Sequence, residues 1–294
     1  MSSKTQGYVF ALLAITIFSL QDAISKHLAQ DYPPVFIAMI RYWAYGLFVS
    51  AVVWRKRLGW GALTQSKRPV LQIIRSALLA LQVILAITCF SLIGLAHAQA
   101  IFAGTPLVVA LLSILFLKEK VDLSRWLAII AGLVGVMVIL RPHGDFLDFK
   151  MLLAVAGTVM FAVYAILTRF VSRQDTSETT FIFTGFIGAV TLTLIGPFYW
   201  TDIHGMGYFW LAVVCCTSIS SHYFLIRAYS LLDASAVQPL SYMGLVYASL
   251  IGTTLFNENL DWPILLGASI VVGSGLLYLM REHAASKRRI VESV

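Results

Sequence analysis

The sequence predicts an all-α polytopic membrane protein whose ten transmembrane helices form two inverted five-helix repeats. Three observations carry this reading: a shortage of charge, ten apolar runs long enough to cross a bilayer, and one turn between helices that recurs with its positive charge removed. Of 294 residues, 59% are hydrophobic and only 12% charged, whereas soluble domains are about 45–50% apolar and about 25% charged. So little charge leaves a soluble particle of this size uncovered, and the mean hydropathy of +0.85 agrees. The solvent for most of the chain is lipid.

A spanning helix needs about 20 apolar residues, and closed hydrogen bonding is obligatory in lipid. Ten runs qualify: Gly7–Leu28, Pro34–Trp54, Val70–Gly94, His97–Leu117, Leu123–Leu140, Met151–Phe170, Thr180–Trp200, Tyr208–Tyr229, Ala234–Phe256 and Pro263–Met280. Lys4 before an apolar run resembles a signal peptide, but the first run is long and carries Gln21, Asp22 and Lys26, so it reads as a helix. From Ser76 to Leu117 there are 42 residues without Asp, Glu, Lys or Arg. As one helix they would extend roughly 63 Å, about twice the hydrocarbon thickness. They must fold back, with Gly94, His97 and Gln99 marking the turn.

Lys and Arg set the orientation. With the N-terminus in the cytoplasm, 16 of the 21 basic residues lie on the cytoplasmic side and three (Lys26, Arg141, Lys150) on the other, while Arg41 and Arg75 lie within helices. Both termini are therefore expected in the cytoplasm, and the net charge of +7 reads as topology rather than as a nucleic-acid surface. Cys89, Cys215 and Cys216 fall inside apolar runs and have no disulfide or metal-ligand spacing.

The segment Phe116–Asp122 (FLKEKVD) resembles Leu255–Asp261 (LFNENLD) at an offset of 139 residues, and the same offset pairs Gln99 with Gln238. At an offset of 143, Lys26 meets Arg169. An odd number of helices per half inverts the second half. Lys118 and Lys120 become Asn257 and Asn259 where the turn changes sides, while Glu119 and Asp122 are kept as Glu258 and Asp261. The halves are residues 1–146 and 147–294, and inverted repeats place a substrate site near the midplane between them.

These features resemble the drug/metabolite transporter superfamily, in its EamA-type branch: two five-helix repeats, the Pro106-Leu107 run ending in Leu117-Lys118-Glu119, and a glycine-containing helix after it. Asn257-Glu258 departs from the usual basic form of that turn. The resemblance implies a carrier of small metabolites working by alternating access in a bacterial cytoplasmic membrane. The nearest functional type is the YddG-type amino-acid exporter.

Charge inside an apolar span costs about 2.5–3.5 kcal/mol on insertion scales, so such residues are candidates for function. On the first helix Ser19, Gln21, Asp22, Ser25 and Lys26 share an arc of roughly 160°. Asp22 is read either as a proton or substrate-amine site, or as a structural partner of Lys26 or of Arg41, which lies at a matched depth. Candidate substrate-binding residues are Gln82, Tyr164, Ser218, His222, Gln238 and Tyr242, with Ser221 beside them; as a group they carry no net charge. The bland alternative is that such groups are interhelical glue, worth under about 2 kcal/mol each. The Ala128/Gly132 and Ala131/Gly135 pairs are spaced for close helix contact, within the chain or between copies.

Metalloprotease, diphosphate, nucleophile-elbow and P-loop motifs are all missing, which excludes the familiar forms of a membrane enzyme and direct ATP drive. No cofactor, catalytic group or metal site is expected; the partners are a small solute and the bilayer. A secondary carrier of amino acids is the leading expectation. A membrane-embedded enzyme acting on a lipid or isoprenoid head group, or a drug or nucleotide-sugar carrier, is the alternative.

Overall fold

The computed structural model describes residues 3–55, 65–117, 123–140, 149–232 and 234–292, and they are helical almost throughout. The helices are α1 (Ser3–Leu28), α2 (Pro34–Arg55), α3 (Pro69–Ile93), α4 (Leu95–Phe102), α5 (Thr105–Leu117), α6 (Leu123–Leu140), α7 (Phe149–Ser172), α8 (Ser177–Ile195), α9 (Gly207–Leu231), α10 (Ala234–Leu255) and α11 (Trp262–Glu292). Among the described residues six helices are long and apolar enough to cross a membrane: Thr5–Leu28, Pro34–Arg55, Pro69–Ile93, Phe149–Ser172, Ser177–Tyr199 and Gly207–Leu231. The other apolar helical stretches are shorter, at Leu95–Val109, Ile130–Ile139, Tyr242–Leu255 and Trp262–Ser274.

The expected fold-back of the charge-free stretch is present, but it is tighter than expected. Gly94 alone makes the turn, at φ 91°, a left-handed conformation that costs glycine little. His97 and Gln99, expected to mark the turn, are instead helical in α4. The fourth apolar run, in which Pro106 is placed to bend the helix, is broken between Phe102 and Thr105. Pro106 explains the break: its ring would clash with the carbonyl four residues earlier, and it has no N–H to bond there. The chain closes α4 with the Ala103 N–H on the Gln99 carbonyl (2.8 Å) and restarts with the Leu107 N–H on the Gly104 carbonyl (3.0 Å). By contrast α10 runs unbroken through Pro239.

Packing repeats between the halves. α1 lies on α9 as α7 lies on α3; α2 lies on α9 as α8 lies on α3; α1 lies on α10 as α7 lies on α4 and α5. The pairs α2–α8, α4–α10 and α6–α11 join equivalent helices directly. Exchanging the two halves therefore maps this pattern onto itself, as expected for a duplicated chain. The α6–α11 contact is made by backbone: a Cβ at Gly135 would lie 2.8 Å from the Gly267 carbonyl oxygen. The glycine spacing seen in the sequence thus serves a contact within the chain at Gly135, and its partner is Gly267. Two apolar clusters result, one around Phe36, Tyr42, Val83, Ile87 and Leu211, the other around Phe90, Ile101, Leu245 and Ile264.

Candidate substrate cavity

Between these clusters lies a cavity of about 200 Å³, which takes Val83 and Ile87 from one and Phe90 and Leu245 from the other. Its walls come from both halves: α1 to α4 and Thr105 on one side, α7, α9 and α10 on the other. The polar arc of α1 faces it through Ser19, Gln21 and Asp22. The break before α5 brings Phe102, Ala103 and Thr105 to the wall, so the interrupted helix lies where irregular backbone is tolerated in a membrane protein, beside a cavity.

Asp22 Oδ2 accepts a hydrogen bond from Gln99 Nε2 at 2.8 Å. Arg41 reaches the Ser25 and Ser218 hydroxyls at 3.4 and 3.5 Å. Gln21 Oε1 accepts from the Ser221 hydroxyl at 3.3 Å. His222 Nδ1 lies 2.8 Å from the Ser218 carbonyl oxygen; because that oxygen only accepts, the proton sits on Nδ1 and Nε2 is left as an acceptor. The His222 ring meets Phe18 edge-on at 5.1 Å. Phe90, Phe102 and Phe161 complete an aromatic lining beside the amides of Gln21, Gln82 and Gln99.

Of the candidate binding residues, Gln82 and His222 line the cavity, as do Asp22 and Arg41. Tyr164, Ser218 and Tyr242 are buried behind its walls. The Gln238 side chain lies outside the described residues, as does the Phe116–Asp122 turn beyond Leu117. Neither structural partner considered for Asp22 contacts it: among the described residues no ion pair within 4.0 Å joins it to Arg41 or to Lys26. Lys26 turns away to Glu258. Gln99 and the four phenylalanines also line the cavity, and the sequence reading does not single them out as binding residues. Gln99 had a signal, being with Gln82 one of two glutamines in a charge-free stretch. The phenylalanines had none, because in an apolar chain nothing distinguishes a lining ring from a packed one.

Lys26 Nζ forms an ion pair with Glu258 Oε1 and lies 4.3 Å from the centre of the Phe256 ring. The same carboxylate accepts from the first two N–H groups of α4, Leu95 at 2.7 Å and Ala96 at 2.9 Å. Those donors have no partner within the helix. Asn257, at φ 50°, turns the chain in the left-handed region that Asn tolerates, and so presents Glu258. Asp22 and Lys26 are one turn apart on α1, and Gln99 and Leu95 are one turn apart on α4. The two helices are therefore joined by two rungs, one in the cavity and one about 6 Å beyond it.

The opposite end of α3, about 37 Å away along its axis, has its own clasp. Asp175, between α7 and α8, accepts from the Ser66 hydroxyl (2.5 Å), Gln72 Nε2 (2.8 Å) and the Lys67 N–H (2.9 Å). Partial burial raises the Asp175 pKa, but these hydrogen bonds and the Lys67 charge outweigh it and hold the carboxyl below its ordinary 3.8.

Comparison with known proteins adds the family. The model of the EamA-like transporter family matches the chain twice, over residues 5–141 and 148–280. The chain belongs to the EamA-like transporter family. It is accordingly a multi-pass membrane protein and a secondary transporter of small metabolites, not an enzyme. It is 25% identical to an S-adenosylmethionine uptake transporter of Rickettsia conorii, over 96% of this chain and 95% of that one. It is 28% identical to a riboflavin transporter of Rhizobium johnstonii, over 98% and 95%. The fold resembles a solved crystal structure with a TM-score of 0.66 at 17% identity, covering 94% of this chain and 97% of that one. These relatives are named for S-adenosylmethionine and riboflavin rather than for amino acids, and so lend no support to the finer placement among amino-acid exporters.

Two outcomes follow from the clasps. Glu258→Gln should destabilise the protein by about 2–4 kcal/mol, because it leaves Lys26 without its counter-charge and weakens two N–H bonds; thermal unfolding in detergent measures this, and a variant as stable as the wild type would refute the clasp. Asp175→Asn should lower the unfolding temperature at pH 7. The folded-state pKa of Asp175 is depressed, so its stabilisation is full above the ordinary carboxylate pKa and fades as pH falls through the folded value. The gap between wild type and variant should therefore narrow below about pH 4.

Proposed function

We propose that this carrier moves a small metabolite that joins a flat nitrogen-containing ring to a polar group, with S-adenosylmethionine as the first candidate. The carrying observation is the cavity wall, where Phe18, Phe90, Phe102 and Phe161 stand beside the amides of Gln21, Gln82 and Gln99. Aromatic faces stack on flat rings, and amides both donate to and accept from ring nitrogens and hydroxyls. The solutes for which the relatives are named, S-adenosylmethionine and riboflavin, share that combination. Aromatic amino acids are the second reading, favoured by the phenyl-rich wall. Nucleotide sugars fit poorly, since a polyanion calls for several cations and Arg41 is the one arginine among the lining residues.

Movement follows alternating access, with halves 1–146 and 147–294 in opposite orientations rocking about the cavity. The Glu258 and Asp175 clasps, at opposite ends of α3, are the contacts that such rocking breaks in turn. The setting is a bacterial cytoplasmic membrane, with both termini in the cytoplasm.

Single cysteines at Lys120 and Asn259, in a background lacking the native three, should be labelled from opposite sides of the membrane; labelling of both from one side would end the inverted reading. In proteoliposomes the wild type should show saturable S-adenosylmethionine flux, tested beside riboflavin and phenylalanine with and without a pH gradient. Gln82→Ala and Gln99→Ala should each reduce it about tenfold without loss of folded protein. If none of the three solutes moves under any gradient, the reading is wrong.

A further inference from the structure

Two arginines are buried among the described helices, and they are not equally engaged. Arg75 is fully buried. Its Nη2 lies 2.8 Å from Gln72 Oε1 and 2.9 Å from both the Thr180 carbonyl oxygen and the Thr184 hydroxyl. Its Nε donates to the same Gln72 oxygen at 3.1 Å. Gln72 in turn donates to Asp175 at 2.8 Å, so this guanidinium is answered by a carboxylate through one amide. Its plane lies over the Tyr164 ring, 5.5 Å from the centre, and it takes no part in the cavity wall.

Arg41 differs on each point. It is 2% exposed and lines the cavity. Its Nη contacts are two serine hydroxyls at 3.4 and 3.5 Å, beyond the usual range of about 2.7–3.2 Å. Among the described residues its Nε has no hydrogen-bond partner, and no carboxylate lies within 4.0 Å of it. A buried cation left without an anion is strongly unfavourable, so this guanidinium is held ready for an anion from outside the chain. Asp22 lines the same cavity, is half-buried, and offers a carboxyl group without touching Arg41. A gap between a buried cation and a carboxyl group suits a molecule that carries both charges.

We propose that Arg41 and Asp22 form a subsite for a zwitterionic α-amino-acid head: Arg41 takes the solute's carboxylate through its guanidinium fork, and Asp22, giving up Gln99, takes the ammonium group. This rests on the carrier reading above and narrows its substrate class. S-adenosylmethionine and aromatic amino acids both carry this head; riboflavin does not.

The test uses the purified full-length protein in detergent. The shift in unfolding temperature is followed as S-adenosylmethionine, decarboxylated S-adenosylmethionine, phenylalanine, phenethylamine or riboflavin is added. The wild type should bind at least one carboxylate-bearing compound about tenfold or more tighter than its decarboxylated partner. In Arg41→Gln that preference should fall below about threefold, with binding of the decarboxylated compound kept; Arg41→Lys should retain part of it. Equal wild-type affinity within each pair overturns the subsite without needing any variant, and so does an undiminished preference in Arg41→Gln. Should Arg41→Gln fail to fold, the wild-type pairs and Arg41→Lys decide. Binding of riboflavin alone removes the subsite but leaves the ring-binding carrier, whereas failure of all five compounds removes both readings.

Discussion

The carboxylate of Glu258 is the constraint on which the cavity depends. In a chain surrounded by lipid, a buried helix start with unmet N–H groups and a lone lysine would each be costly. One carboxylate answers both. It holds α4 at the end of α1, which fixes Gln99 within reach of Asp22 one turn deeper. The cavity carboxylate is thereby aimed by a contact that lies outside the cavity. A cationic group that drew Asp22 from Gln99 would loosen one of the two rungs joining α1 and α4.

The break after α4 has a related purpose. A continuous fourth helix would carry regular hydrogen bonds past the cavity and leave little backbone relief. Pro106 ends that regularity, and α4 becomes an eight-residue lever between Glu258 and the cavity wall. The second half has no matching break, since α10 is continuous. The duplicated halves have therefore diverged beside the cavity, while their packing pattern is preserved. Symmetric packing suits alternation between two equivalent states, and an asymmetric cavity suits recognition of one asymmetric solute.

Much of the fold was legible in the sequence because lipid imposes simple rules. Length of apolar run and absence of charge located the six helices long enough to cross a membrane, and FLKEKVD against LFNENLD disclosed the duplication. Side-chain partners were less legible. Asp22 and Lys26 are i, i+4 neighbours, a spacing that suggests a pair, yet Lys26 is claimed by a residue 232 positions away. Matched depth suggested Asp22 and Arg41, which do share a cavity but leave a space between them. Depth along the bundle can be counted in residues, whereas lateral separation depends on how the helices pack.

The sequence by itself determined the solvent, the long apolar helices, the repeat and which polar groups had to face protein. Each follows from the cost of exposing charge or backbone to hydrocarbon, which depends on local composition alone. Only the tertiary structure decided which polar groups meet. It placed Gln82 and His222 at the cavity and Tyr164, Ser218 and Tyr242 behind it, gave Arg75 its partners and, among the described residues, left Arg41 without an anion. Those outcomes depend on the rotation of each helix about its axis and on contacts between the halves, which a one-dimensional pattern does not contain.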